Sequence, residues 1–293
     1  MTRPRELGAT GLVVPVLGLG AGELGDARLE DAAAGRLLNE ALDLGVTLID
    51  TARAYGLSEE RIGRHLAHRR GEFVLTTKVG YGVAGEADWT AACVRRGIDE
   101  ALARLRTDVI DVVLLHSCGL EALRDDGILD ALEEARRAGK LRVAAYSGEG
   151  AALALALASG RFGAIECSVN LCDQRVLDEA LPLATARRLG VIAKRPLANA
   201  PWRHAERPVG QYVERYWERW QAMRLDAAGL AWDELALRFS AYAPGVSCCI
   251  VGTRDVEHLR RNVALAALGP LPVALVEALR AAFRAADRGW EGQ

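Results

Sequence analysis

Along the chain, short apolar runs alternate with longer stretches whose apolar residues recur every three or four positions. The runs predict buried strands, the longer stretches amphipathic helices. Strand-like runs fall at Val16–Gly20, Val46–Ile49, Phe73–Thr77 and Val109–Leu115, then at 142–146, 164–167, 191–194 and 247–251. Helical spacing fills 31–44, 58–68, 90–104, 127–138, 149–158, 175–189, 231–242, 255–267 and 272–286. Ser58 stands where an N-cap belongs, with Glu59 and Glu60 in the first turn. Ahead of all these, residues 7–15 read as a hairpin turning at Ala9–Gly11.

Strand then helix repeats eight times, with no Ser/Gly/Pro linker and no break in composition. Helices of this length between strands imply parallel, right-handed crossovers. Eight units fit an α/β fold closed on itself: a (β/α)8 TIM barrel with a short N-terminal β-hairpin, one domain over 1–293. An open doubly wound sheet would need a GxGxxG turn after its first strand. Gly18, Gly20 and Gly22 do not supply it, because Glu23 follows and the next helix starts only near Asp31. One segment departs from the rhythm. Pro196–Gly210 is a loop containing Trp202, and 211–225 carries Tyr212, Tyr216 and Trp220 at helical spacing. This segment either packs on the barrel or walls an apolar cleft, with Trp202 and, from the third loop, Trp89 as the residues placed at a pocket.

Composition then narrows the class. Apolar residues make up 51% of 293, enough for a large core. The 37 basic and 39 acidic side chains nearly cancel, leaving a formal charge of -2, which offers nucleic acid or an anionic membrane no general attraction. The start lacks a signal-peptide core and no window reaches the roughly 18 apolar residues of a membrane span. A soluble, cytoplasmic protein is expected, monomeric or weakly homo-oligomeric. The six cysteines form no CxxC pair and read as buried thiols, and no metal site is expected, since only His116 among the histidines closes a strand.

The chemistry lies at strand ends. Asp50 follows Val46–Ile49, Lys78 follows Phe73–Thr77, His116 follows Val109–Leu115, and Tyr55 stands five residues beyond Asp50. A barrel would gather them at one face. A phenol with an ordinary pKa of about 10 donates poorly unless a cation stabilises its phenolate. Lys78 is that cation, Asp50 holds the lysine, and His116 can orient a carbonyl oxygen. The set suits carbonyl polarisation and protonation, and the reducing equivalent must come from a cofactor.

These residues sit in motifs that resemble the aldo-keto reductase family along nearly the whole chain. They are Leu17-Gly18-Leu19-Gly20; Asp50-Thr51-Ala52 with Tyr55-Gly56 and Ser58-Glu59; Thr77-Lys78; Asp111–His116; Gly139–Arg142 leading to Tyr146-Ser147; and Ile250–Arg254 with His258-Leu259 and Asn262. The resemblance implies an NAD(P)H-dependent oxidoreductase reducing aldehydes or ketones, or oxidising alcohols, with Asp50, Tyr55, Lys78 and His116 as its catalytic tetrad. For the cofactor it implies Gly20, Ser147, Glu166, Lys194, Arg195, Leu197, Gly252, Thr253, Arg254, His258 and Asn262. Three positions depart from the family pattern: Gly148 where Asn is common, Glu166 near a usual Gln, and Lys194 or Arg195 near a stacking aromatic. A helix N-terminus after Gly252 would offer backbone N–H groups to a phosphate. Arg254 beside it favours NADP(H), with NAD(H) left open. The substrate is a small carbonyl or alcohol. The rival readings are an NAD-dependent sugar or alcohol dehydrogenase of the same fold and a non-catalytic nicotinamide-binding regulatory subunit.

Overall fold

The computed structural model describes residues 3–293. Two short antiparallel strands, β1 (Arg5–Glu6) and β2 (Val13–Val14), form the hairpin. Eight parallel strands follow: β3 (Leu17–Gly20), β4 (Leu48–Asp50), β5 (Val74–Val79), β6 (Ile110–His116), β7 (Leu141–Ser147), β8 (Ala164–Ser168), β9 (Gly190–Lys194) and β10 (Cys248–Gly252). Each pairs with the next in sequence, and β10 closes on β3. Around them run α1 (Asp31–Asp43), α2 (Ser58–Leu66), α3 (Ala91–Leu105), α4 (Leu120–Arg124), α5 (Asp126–Arg137) and α6 (Gly150–Ser159). The outer layer continues with α7 (Arg175–Ala186), α8 (Glu214–Met223), α9 (Trp232–Ala241), α10 (Val256–Ala267) and α11 (Val273–Ala286). The (β/α)8 barrel with its N-terminal hairpin is as the alternation required.

Side chains along a strand alternate faces, and the barrel sorts its apolar residues accordingly. Leu48, Val112, Leu114, Val143, Ile192 and Ile250 point inward and form one cluster. Their neighbours Ile49, Val113, Leu115, Ile165, Val191 and Val251 point outward onto the helices. Each buried Val, Leu or Ile contributes about 2 kcal/mol. Leu7, Leu12 and Val14 of the hairpin join the inner cluster, so the hairpin plugs the end at which the strands begin. The opposite end stays open, and it is there that strand residues turn polar.

Two local readings need correction, the Ser58 cap and the length of the 211–225 helix. Ser58 is not a cap: Leu57 holds that position, without a side-chain bond. The buried Ser58 hydroxyl instead donates to the Ala21 carbonyl at 2.8 Å and accepts from Thr51 at 2.7 Å, tying the loop after β4 to the loop after β3. Glu59 does stand in the first turn, but buried, bonded to Thr77 and to Arg104. The helix expected over 211–225 is shorter, and Tyr212 precedes it, exposed. An extra turn, α4, stands between β6 and α5. All six cysteines are free and buried. Among the described residues no helix is long and apolar enough to cross a membrane, and no group of three or more His, Cys, Asp or Glu could hold a metal.

Candidate active site

Every barrel strand brings an inward position to the open end. They are Gly20, Asp50, Lys78, His116, Ser147, Glu166, Lys194 and Gly252, each two residues beyond an inward residue lower on its strand. The two glycines leave room where β3 and β10 meet, opposite one another in register. Above this ring lies a cleft of about 1300 Å³ that runs from Asp50, Tyr55 and His116, past Ser147, Glu166 and Lys194, to the segment Gly252–Asn262.

At its deep end the groups are tightly bonded. The Lys78 ammonium donates to both Asp50 oxygens at 2.6 and 2.5 Å and to the Thr51 carbonyl at 3.1 Å. Its second counter-ion is Glu166, whose Oε2 lies 3.3 Å away. Thr76 donates to Asp50 as well, at 2.5 Å. All three charged side chains are almost wholly buried. Lys78 also lies 5.2 Å from the centre of the Tyr55 ring, and that ring meets His116 edge-on at 5.8 Å. The tetrad thus converges.

Tyr55 is held by its loop. The loop packs so closely on the turn after β3 that a side chain at Gly25 would strike the Tyr55 carbonyl at 1.7 Å. Arg61 of α2 fixes that turn by donating to the Leu24 and Asp26 carbonyls at 2.6 and 2.8 Å.

The electrostatics follow from burial with a surplus of acid. Burial opposes charge on Lys78, but Asp50 and then Glu166 outweigh it and hold the ammonium above the ordinary lysine value. Burial, then the neighbouring charge of Glu166, push Asp50 up to about 7 against the pull of Lys78. Burial also works against Glu166, which Lys78 and then Lys194 nonetheless hold below its usual value. Burial and then Lys78 push His116 down to about 4, so its imidazole is neutral. For Tyr55 the sequence argument stressed the lowering effect of Lys78. That pull exists, but burial is stronger and the phenol rises to about 12. It is therefore protonated, with a proton to give.

Among the residues expected at the cofactor, Gly20, Ser147, Glu166, Lys194, Arg195, Leu197, Gly252, Thr253, Arg254, His258 and Asn262 all line the cleft. Their partners differ from expectation in three places. Glu166 accepts the Ser147 hydroxyl at 3.2 Å as well as facing Lys78. Lys194 pairs with Glu149 at 3.3 Å. Arg195 leans on the Tyr212 ring and donates to Ser168 and Tyr212. The N-terminus of α10 is not free: the Asp255 side chain accepts from the Glu257 and His258 N–H groups. The donors expected for a phosphate there are thus partly taken; the cleft also presents the exposed Arg254, itself 3.7 Å from Asp26, and Arg203. The absence of a side chain at Gly148 has a steric cause, since a Cβ there would lie 2.2 Å from the Tyr146 hydroxyl.

Trp202 lines the cleft as expected and packs on Trp220 and Trp232 at 5.5 and 6.4 Å. Trp89 instead stands behind Tyr81, 5.5 Å away. Two residues at the site were missed. Tyr81 stacks on His116 with its hydroxyl 3.0 Å from Nδ1, and only its place just after β5 could have signalled it. Asn199 lines the cleft with a positive φ and an unpartnered side-chain nitrogen. An asparagine tolerates that backbone region, but nothing in the sequence marks it.

The model for the aldo/keto reductase family matches residues 16–283. An uncharacterized oxidoreductase of Bacillus subtilis is 29% identical over 282 residues, covering 89% of this chain and 90% of that one. L-galactose dehydrogenase of Arabidopsis thaliana is 29% identical over 283 residues, covering 89% and 86%. The solved structure of an aldo-keto reductase from Bacillus halodurans in its holo form matches with a TM-score of 0.84 at 25% identity, covering 96% of each chain.

Proposed function

The chain belongs to the aldo-keto reductase family, an oxidoreductase family served by nicotinamide cofactors, and from that premise we propose that it reduces aldehyde or ketone carbonyls to alcohols, and the reverse, with Tyr55 as the proton donor. The observation that carries this reading is one buried spot where a protonated phenol, a doubly paired ammonium and a neutral imidazole meet at the end of a long cleft.

The cleft's polar atoms fit such a cofactor. Among the described residues, Glu166 Oε2 and Asn199 Nδ2 are buried without hydrogen-bond partners, one acceptor and one donor on residues that line the same cleft. A nicotinamide bound there supplies the hydride. The protein's own groups do the rest. Tyr55 gives its proton to the carbonyl oxygen, while Lys78 stabilises the phenolate left behind and Asp50 holds the ammonium in place. The neutral His116 orients the oxygen by a hydrogen bond, its ring steadied by Tyr81. Ser147 and Glu166 would hold the ring end of the cofactor, and Leu197, Gly252, Thr253 and Asn262, with Arg254 beside them, would hold its far end. The exposed Arg254 guanidinium supports NADP(H) over NAD(H) through a forked contact to a 2'-phosphate.

A second reading is an NAD-dependent dehydrogenase acting on a sugar or small alcohol, supported by the name of the Arabidopsis relative. One assay addresses both. Cofactor absorbance in the near ultraviolet is followed with NADPH and NADH against aldehydes, and with NADP+ and NAD+ against sugars and alcohols. Reduction with NADPH faster than any oxidation is the expected result. Oxidation prevailing with NAD+ would favour the dehydrogenase, and no turnover with any pair would leave only a binding subunit.

A further inference from the structure

Lys78 has one more counter-ion than it needs. Asp50 already accepts two bonds from its ammonium, yet Glu166 stands on the other side at 3.3 Å, equally buried. Two buried carboxylates thus share one ammonium in one dry place, and Glu166, after burial, helps lift Asp50 to about 7. Neighbouring cations have other partners: Lys194 on the adjoining strand is paired with Glu149, though its charge still helps hold Glu166 ionised, and Arg195 is turned to Ser168 and Tyr212. One oxygen of Glu166, Oε1, accepts from Ser147. The other, Oε2, has no hydrogen-bond donor and lies where the side chain borders the cleft.

We propose that Glu166 makes the site discriminate between redox states of its cofactor, its buried carboxylate favouring the oxidised, positively charged nicotinamide ring over the reduced, neutral one. This rests on the reading of the cleft as a nicotinamide site. On losing its hydride the ring gains one positive charge, while the hydride goes to the carbonyl carbon and the Tyr55 proton to its oxygen. Only the charge on the ring distinguishes the two bound forms at Glu166. A carboxylate attracts that charge and a neutral amide of the same shape does not. The preference is therefore a matter of differential affinity, set before any chemistry occurs.

The test is Glu166→Gln, read by intrinsic fluorescence titration of the full chain with NADPH and NADP+, and with NADH and NAD+. The ratio of reduced-form to oxidised-form dissociation constants should fall about tenfold in E166Q, equivalent to raising the midpoint potential of the bound two-electron couple by about 30 mV. Glu166→Asp, which keeps the charge one methylene further from the cleft, should give a smaller fall in the same direction and serves as the readout if E166Q melts below the assay temperature. An equal change in both affinities, as a merely structural partner of Lys78 would produce, overturns the proposal. Binding of neither form by the wild-type chain overturns the nicotinamide reading, and the proposal with it.

Discussion

An acid, a cation and a phenol meet in two places in the protein, the acid and cation buried in both, the phenol half-buried in the first and buried in the second. At the barrel mouth they are Asp50, Lys78 and Tyr55. Against α8 they are Asp173, Arg219 and Tyr216. Burial perturbs both sets: it pushes Tyr216 and Asp173 up, the latter despite Arg219, much as it does Tyr55 and Asp50. Perturbed ionisation alone therefore does not mark a working site. The difference is in bonding. Tyr216 donates to Asp173 at 2.7 Å, Arg219 donates to Asp173 and to the Glu291 carbonyl, and Asn170 donates to Tyr216. Those groups satisfy one another. At the mouth, Glu166 Oε2 is left over, and Tyr55, Asp50 and Glu166 border open space. One cluster is closed on itself and the other opens on a cleft.

Exchanging matched residues tests that contrast. Tyr55→Phe should lower kcat about a thousandfold or more, the span of a lost general acid, measured by steady-state turnover. If Tyr55→Phe retained most of its kcat, the contrast would collapse. Arg219→Met should lower the unfolding free energy by about 3 kcal/mol in urea melts, because Asp173 is left buried without its cation. Its kcat, per folded molecule, should stay within about twofold. Tyr216→Phe should cost about 1 to 2 kcal/mol for the donor withdrawn from Asp173, again with little change in kcat.

The mildest test is titration. His116 in the open cluster is depressed to about 4, by burial first and then Lys78. Its folded value lies below the ordinary 6.5, so its contribution to stability is present above about 6.5 and is lost as pH falls toward 4. An NMR titration of the His116 ring should be flat from about pH 8 to 5.5. A midpoint near 6.5 would mean that neither burial nor the Lys78 charge weighs on the imidazole.

Much of this was legible in the sequence, for a physical reason. A strand buried on both faces reads as a largely apolar run, and an ionisable residue at its end is conspicuous; Asp50, Lys78 and His116 all announce themselves so. Tyr55 could be linked to them only through its short offset from Asp50. Tyr81 was hidden because it lies on an irregular loop, where no periodicity assigns a direction to a side chain. Ser58 misled because its position favours a cap, and only the approach of the Ala21 loop, distant in sequence, claims its hydroxyl. Asp255 was overlooked for the opposite reason: it is a real cap, and it takes donors that the reading had left to a phosphate. The second buried cluster gave no signal, since Asp173 and Arg219 are 46 positions apart with nothing periodic joining them.

The Tyr146 hydroxyl that excludes a side chain at Gly148 also donates to the Cys118 carbonyl at 2.9 Å. The two positions are consequently locked as an evolutionary pair. A lineage that introduced an amide at 148 first would meet a collision, and one that discarded Tyr146 first would forfeit an internal bond before gaining anything. Neither single change is free, so a side chain at 148 and a smaller residue at 146 should be tolerated better together than the two single changes would suggest.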